Sequence, residues 1–413
     1  MNMISAIILF AVIGDFLLHL TADVLNLKRL TGDLPGLFQG YYDARRYATS
    51  QDYLRVNTRF KWAASVVDIV LFLGLMFGKG FPLIDGWVRS VSRHPVAGGL
   101  LYIGILFLLK WIVSLPFTVY STFVIEERFG FNKTTWKMFV SDMAKQAVLG
   151  IVLGGALVGT VLAFFEYAGP GAWWICWAGI VVFMLIMQLV VPTWIMPLFN
   201  KFRPLAPGEL KNAIMAYAES IQFSLQNIFV MDGSKRSGKS NAFFTGFGRY
   251  KRIVLYDTLI DNHTTKELVA ILAHEMGHYK KKHVFWMLAA GMVQTGIMLY
   301  LLSLFISSPT LFEAFYMETP SVYAGLVFFG FLYAPVDFFA GILMQFFSRK
   351  NEFAADRFAA MTTSDPASFT LALKKLAVHN LSNLTPHPLY VFLNYSHPPI
   401  LERLKAIAGE TVK

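Results

Sequence analysis

Apolar residues fall in seven long runs separated by polar segments, at about 4–26, 59–78, 98–125, 147–166, 172–192, 283–307 and 321–347. Each is about the length of a helix that crosses a bilayer, roughly 20 residues. Gly169-Pro170-Gly171 parts the fourth run from the fifth, as a tight antiparallel helical pair needs. The pattern changes between the fifth and sixth runs. From Pro207 to Ile221, Leu210, Ile214, Tyr217, Ala218 and Ile221 recur at helical spacing. Asn227–Met231, Asn241–Phe247 and Arg252–Asp257 read as strands, the last two joined by Gly248-Arg249-Tyr250. Thr264-x-x-Glu267 then has the form of a capping box, and Leu268, Ile271 and Leu272 predict the helix behind it. Beyond Ser348 the chain reads as a polar helix, then as a segment containing His and Pro.

The expected architecture is an α-helical polytopic membrane protein with a small α+β core. Residues 1–192 hold spans one to five, 193–282 the largest segment outside the membrane, 283–347 spans six and seven, and 348–413 a tail.

Composition agrees, with 55% hydrophobic residues and a mean hydropathy of +0.51 among 413 residues. No basic start with a cleavage site precedes the first run, so it is read as a span. The net charge of +10 would suggest nucleic acid in a soluble protein. Here its distribution offers another cause. One side holds only Lys79, Arg89 and Arg93, whereas the other holds Lys28, Arg29, Arg45, Arg46, Arg55, Arg128, Lys133, Lys137 and Lys145. The same side receives nearly all basic residues of 193–282 and of the tail, and the positive-inside rule makes it cytosolic. Asp15, His19, Asp68, Lys110 and Asp337 lie within or near spans, where charge is expensive and usually faces a wet interior. The single cysteine, Cys176, forms no intrachain disulfide.

The chemistry is concentrated in His274-Glu275-Met276-Gly277-His278, an H-E-x-x-H pattern. On a helix, residues four apart share one face, so His274 and His278 form a pair of zinc ligands. Glu275 lies beside them as a base for the metal's water. Such a site needs a third ligand. Spans six and seven form a hairpin, and the end of span seven returns to the metal's side carrying Asn351-Glu352-Phe353-Ala354-Ala355-Asp356. Glu352 is the candidate third ligand, and Asp356 can hydrogen-bond the far nitrogen of a ligating histidine. In Ser396–Arg403, His397 and Arg403 are candidate donors to an oxyanion, although His-Pro-Pro alone more often marks a turn. His94, His263, His283, His379 and His387 are assigned structural or surface roles.

Gly233-Ser234-Lys235-Arg236-Ser237-Gly238-Lys239-Ser240 matches the phosphate-loop pattern, and Ile253–Asp257 resembles the strand that follows one. A phosphate loop requires a helix starting at Lys239-Ser240, yet the next residues are aromatic, interrupted by Gly and strand-like. The expectation is therefore no nucleotide, and a mobile basic loop leading into an edge strand. Asn241, Ala242, Phe243 and Phe244 begin that edge, which can bind an extended peptide by strand addition.

These motifs together resemble the integral-membrane CAAX prenyl proteases of peptidase family M48. The resemblance includes Glu126–Lys133, Pro197–Phe202, Gly233–Ile260, His274–His278, Ser348–Ala359 and Ser396–Leu404, and covers nearly the whole chain. It implies seven helices ringing a water-filled chamber, capped by the zinc core on the cytosolic side. It implies one Zn²⁺ held by His274, His278 and Glu352, with Glu275 as catalytic base. Asp356 would fall where the family is often described as having a proton donor, and we keep it as a partner of a ligand histidine. His397 and Arg403 would lie near the substrate carbonyl, and the strand from Asn241 along the peptide. The implied activity is removal of the C-terminal tripeptide from prenylated CAAX-type substrates, with peptide, protein and membrane lipid as partners. A short loop at about 308–320 and a tail without an evident retrieval signal suit a bacterial inner membrane rather than the endoplasmic reticulum. Two other readings stay open: a quality-control endopeptidase without a prenyl requirement, and a non-hydrolytic transporter or receptor with a zinc site.

Overall fold

The computed structural model describes residues 2–225, 227–245, 252–363 and 365–409. Gly248-Arg249-Tyr250 and the last four residues lie outside them. Among the described residues, seven helices are long and apolar enough to cross a membrane: Met3–Lys28, Ala44–Phe77, Pro95–Glu126, Trp136–Tyr167, Ala172–Phe199, His283–Phe305 and Val322–Thr362. They follow the seven apolar runs in order. The last extends further than its apolar run and continues as one helix of 41 residues through the polar stretch after Ser348.

Neighbouring spans touch in chain order, and span seven packs back on span one, so the spans close a ring. Spans two and three meet through the short helix Gly80–Val91, and span seven also crosses to span three. The two ends of the ring are packed and the middle is not. Within the spans' apolar windows only 6–22% of residues are buried, too few for a solid bundle. One apolar cluster closes the far end, where Phe81, Phe312, Phe315 and Phe328 are fully buried and Phe315 stacks on Phe328 at 4.0 Å. Gly325 makes this closure possible. A Cβ there would stand 2.2 Å from the Ile306 carbonyl oxygen, so only glycine lets span seven lie against the end of span six.

The second cluster builds the core at the opposite end. It holds Ile214, Tyr217, Ile253, Leu255, Leu268, Leu272, Met276, Phe369, Leu373 and Leu404. Burying such side chains is worth about 1.5–3 kcal/mol each before chain entropy is counted. The core's sheet has four strands in the order β1-β2-β4-β3, with β1 Phe202–Pro204, β2 Asn227–Met231, β3 Ala242–Thr245 and β4 Arg252–Tyr256. β2 runs parallel to β4, and the others pair antiparallel. The short strand β1 was not legible in the sequence. β3 is an edge, as the pattern predicts. Its Ala242 is buried, and Phe244 packs on Tyr279 of the metal-motif helix at 5.1 Å.

The polar groups of the spans find partners among themselves. Lys110 of span three pairs with Asp68 of span two. Gln294 of span six donates to Asp337 of span seven at 3.0 Å. These pairs tie adjacent helices at membrane depth, where a lone charge would be costly.

Candidate metal centre

The helix Thr265–Lys280 carries the H-E-x-x-H motif. Its start is fixed by the expected capping box. Thr264 N–H donates to Glu267 Oε2 at 2.9 Å, and Glu267 N–H to Thr264 Oγ1 at 3.4 Å. Glu267 is itself anchored by Lys375 at 2.7 Å. The helix then lies along span seven, and Gly277 sets how closely. A Cβ at Gly277 would meet Phe358 Cδ1 at 3.1 Å and the Ala355 backbone at 3.3 Å. Backbone cannot yield as a side chain does, so a larger residue must push the two helices apart. Gly277→Val is expected to cost about 1–3 kcal/mol of stability, as overpacking does. It should also weaken metal binding, read as a lower unfolding midpoint together with a weaker metal titration.

The close approach brings three donor atoms together. His278 Nε2 lies 3.1 Å from His274 Nε2 and 3.1 Å from Glu352 Oε1, and His274 Nε2 lies 3.4 Å from Glu352 Oε2. His274 and Glu352 are buried. Among the described residues these three form the one group of at least three histidine, cysteine or carboxylate side chains with metal-site spacing. Nitrogen and oxygen ligands at about 2.0–2.2 Å from a tetrahedral ion stand roughly 3.3–3.6 Å from one another, close to the spacing seen. Glu352 Oε2 is also buried without a hydrogen bond, which an ion would satisfy. The donor set therefore fits a divalent cation of the zinc type.

Around these ligands lies a second set of contacts. Asp356, buried one helical turn beyond Glu352, sits 2.8 Å from His274 Nδ1. Arg403, from the helix Ile400–Ile407, forks onto Asp356 through Nε at 2.8 Å and Nη2 at 2.6 Å, with Nη1 3.7 Å from Glu352. His397 reaches the opposite side of Glu352, Nε2 to Oε1 at 3.3 Å, and its Nδ1 pairs with Ser396 Oγ at 2.9 Å. Burial resists charge on His274, yet the carboxylates of Asp356 and Glu352 outweigh it and push its pKa up to about 9. Desolvation raises the Glu275 carboxyl above the ordinary range, an effect moderated by the two ligand histidines. A carboxylate that holds a proton more readily suits a group that takes one from water.

The phosphate-loop pattern has other work here. Lys239 Nζ binds Tyr53 Oη at 2.8 Å and Glu126 at 3.0 Å, and Arg236 forks onto Asp142 at 2.8 and 3.1 Å. Ser240 is buried, with its N–H on Asn380 Oδ1 at 3.1 Å, and β3 rather than a helix follows. The loop is thus pinned between the core and spans two to four, and the expected mobile segment is a strap. Asn241 leads directly into the edge. Its carbonyl accepts from Tyr256 N–H at 3.1 Å, and its Oδ1 accepts from Ala242 N–H at 2.9 Å.

One residue was missed. His283 is buried, and its Nδ1 lies 3.1 Å from His278 Nδ1. It stands five residues after His278, a spacing that no helical face would pair, so the pattern offered no signal. His379 and His387 have structural contacts, with Gly238 O at 2.6 Å and Leu389 N–H at 3.2 Å.

Comparison with known proteins agrees with this geometry. Residues 23–201 match the family described as CAAX prenyl protease N-terminal, five membrane helices, and residues 204–411 match peptidase family M48. The chain is 36% identical to CAAX prenyl protease 1 homolog of Arabidopsis thaliana, covering 94% of each chain. It is 33% identical to CAAX prenyl protease 1 of Saccharomyces cerevisiae, over 91% of this chain and 88% of that one. The crystal structure of S. mikatae Ste24p superposes with a TM-score of 0.92 at 31% identity, covering 98% of this chain and 99% of that one. These relatives are eukaryotic, so the expected bacterial inner membrane gains no support from them. With both halves matched and the metal-site spacing present, the chain belongs to peptidase family M48, as a multi-pass zinc metalloendopeptidase of the CAAX prenyl protease type.

Proposed function

We propose that this protein removes the C-terminal tripeptide from prenylated CAAX-type substrates, with its core on the cytosolic side of the membrane. The observation that supports it most is the convergence of His274, His278 and Glu352, with Glu275 on the same helix as the two histidines and the edge strand β3 packed on that helix through Phe244 and Tyr279. We assign the ion as Zn²⁺, one per chain, held by these three side chains. When bound, it supplies Lewis acidity to the scissile carbonyl and makes a water acidic enough to lose a proton near neutrality.

The protein's own groups do the rest. Asn241, Ala242, Phe243 and Phe244 hold the peptide extended by adding it as a strand to the sheet edge. Glu275 takes the proton from the attacking water and returns it to the leaving amine nitrogen as the C–N bond breaks. Asp356, 2.8 Å from His274 Nδ1, favours the proton on that nitrogen, so a bound ion would displace the other proton and take Nε2. Arg403 keeps Asp356 ionised and in place. His397 through a ring N–H, and Arg403 through its remaining N–H groups, donate hydrogen bonds where negative charge grows on the carbonyl oxygen.

The test uses purified protein in detergent with a farnesylated CAAX peptide and its unprenylated counterpart, read by mass spectrometry with and without a zinc chelator. Loss of the last three residues, abolished by chelator and restored by zinc, is the expected result. Equal cutting of both peptides would replace the prenyl requirement with a broader quality-control role. No cutting by the zinc-loaded protein would overturn the substrate assignment.

A further inference from the structure

The metal-motif helix ends at Lys280 and span six begins at His283, so only Lys281 and Lys282 separate them. Lys282 adopts φ +58°, in the left-handed region that residues with a Cβ seldom occupy. Such a conformation persists only where its surroundings hold it, and it often marks a functional constraint. Here it turns the chain so that the first residue of span six lies back against the second histidine of the motif. His283 Nδ1 is then 3.1 Å from His278 Nδ1, with the ring planes 76° apart. The contact is therefore between ring nitrogens and not a stack of faces.

We infer that His283 is a positioning residue for the metal centre, one that fixes the orientation and tautomer of His278. The inference rests on the zinc assignment above. A histidine ligand must present an unprotonated nitrogen to the ion, and the nitrogen facing His274 and Glu352 is His278 Nε2. The proton of neutral His278 is then on Nδ1, where it donates to His283 Nδ1. His283 accepts at that atom, so its own proton is on Nε2. A protonated His283 Nδ1 would have no lone pair to offer, and the contact would set two N–H groups against each other.

The two ligand histidines are thus held by different chemistries. His274 is oriented by a carboxylate, Asp356, itself clamped by Arg403. His278 is oriented by a neutral imidazole. His278 and His283 line a cavity of about 280 Å³ together with Gln188, Ser348 and Asn351 and the apolar Val284, Met287 and Leu288. An imidazole accepts the hydrogen bond of His278 without adding a second negative charge beside Glu352, whose Oε1 is 3.1 Å from the other nitrogen of His278. It also makes the centre rigid across the boundary between core and membrane. One ligand's support comes from span seven and the other's from span six.

The test replaces His283 in the full-length, metal-stripped protein in detergent. Three variants separate the acceptor from the bulk of the ring. Asn places its carbonyl oxygen near the Nδ1 position, Gln reaches past it toward Nε2, and Leu offers no acceptor. Zinc affinity is measured by competition with a chelator, and the zinc-induced rise in unfolding midpoint is recorded beside the midpoint of the metal-free protein. H283N is expected to bind zinc within a few-fold of the unaltered protein. H283Q and H283L should bind about 10–100-fold more weakly, the usual cost of losing a supporting hydrogen bond on a ligand. Their metal-free midpoints should stay near that of the unaltered protein, which a merely structural role would not allow. Equal zinc affinity in H283N and H283Q would overturn the inference, as would full affinity in H283L. If the unaltered protein takes up no zinc, the metal assignment fails and this inference with it.

Discussion

Glu275→Gln is expected to retain the fold and the metal while peptide cleavage falls by two to four orders of magnitude, about 10²–10⁴-fold, the usual contribution of one positioned acid–base group. The substitution exchanges an oxygen for an NH₂ of nearly the same size, so packing against the metal-motif helix is unchanged. None of the three donor atoms belongs to Glu275, so metal stoichiometry should be unaffected. What is lost is a carboxylate whose pKa burial has raised, beside two histidines that moderate the rise. An amide neither accepts the proton of water nor returns one to the leaving nitrogen. The loss should therefore be in kcat, with KM for the peptide little changed, because in the proposed mechanism substrate is held elsewhere, along β3. Metal content by elemental analysis and kcat on the farnesylated peptide decide it. Near-normal turnover in a zinc-loaded Glu275→Gln protein would remove Glu275 from the mechanism.

Glu352→Ala is expected to abolish both metal and cleavage while leaving a folded protein. Glu352 supplies the third donor atom from a different helix, 3.1–3.4 Å from the other two. Two histidines of one helical turn are a weak chelate without it. Affinity should drop further than the roughly 10–100-fold that loss of a supporting hydrogen bond costs. The fold should survive because Asp356, Arg403 and His274 Nδ1 keep their contacts one turn along the same helix. The metal-free unfolding midpoint should stay near that of the metal-free parent. The comparison with Glu275→Gln is informative, since both variants are inactive and only one is metal-free. Stoichiometric zinc in Glu352→Ala would assign the third ligand elsewhere, and His397, 3.3 Å from Glu352, would be the first group to examine.

The difference between the two variants follows the difference between near and distant chain. Hydrophobic length marked the seven spans, because a helix must satisfy its backbone within the bilayer over a fixed thickness. Helical periodicity placed His274 and His278 on one face, because residues four apart are neighbours on any helix. The capping box and edge strand were legible for the same reason, since each depends on a few adjacent residues. The hairpin of spans six and seven went one step further and returned Glu352 to the correct side.

The rest needed the tertiary structure. Whether Glu352 comes within 3.4 Å of His274 is set by the closeness of two helices, and that depends on Gly277 having no side chain opposite Ala355 and Phe358. Arg403 and His397 arrive from more than a hundred residues beyond the motif, and only the packing of the tail helix on span seven brings Arg403 onto Asp356. Lys239 was read as part of a mobile basic loop and is a strap, because Glu126 and Tyr53 meet it from two spans. His283 looked idle because a left-handed Lys282 breaks the helical phase between it and His278. By itself the sequence determined the membrane spans, the motif helix and the pairing of His274 with His278 on one face of it, all matters of local geometry. Asp356 was named as well, but only the tertiary structure decided that Arg403 clamps it and that His283 meets His278, because those contacts depend on packing and chain turns that no local pattern records.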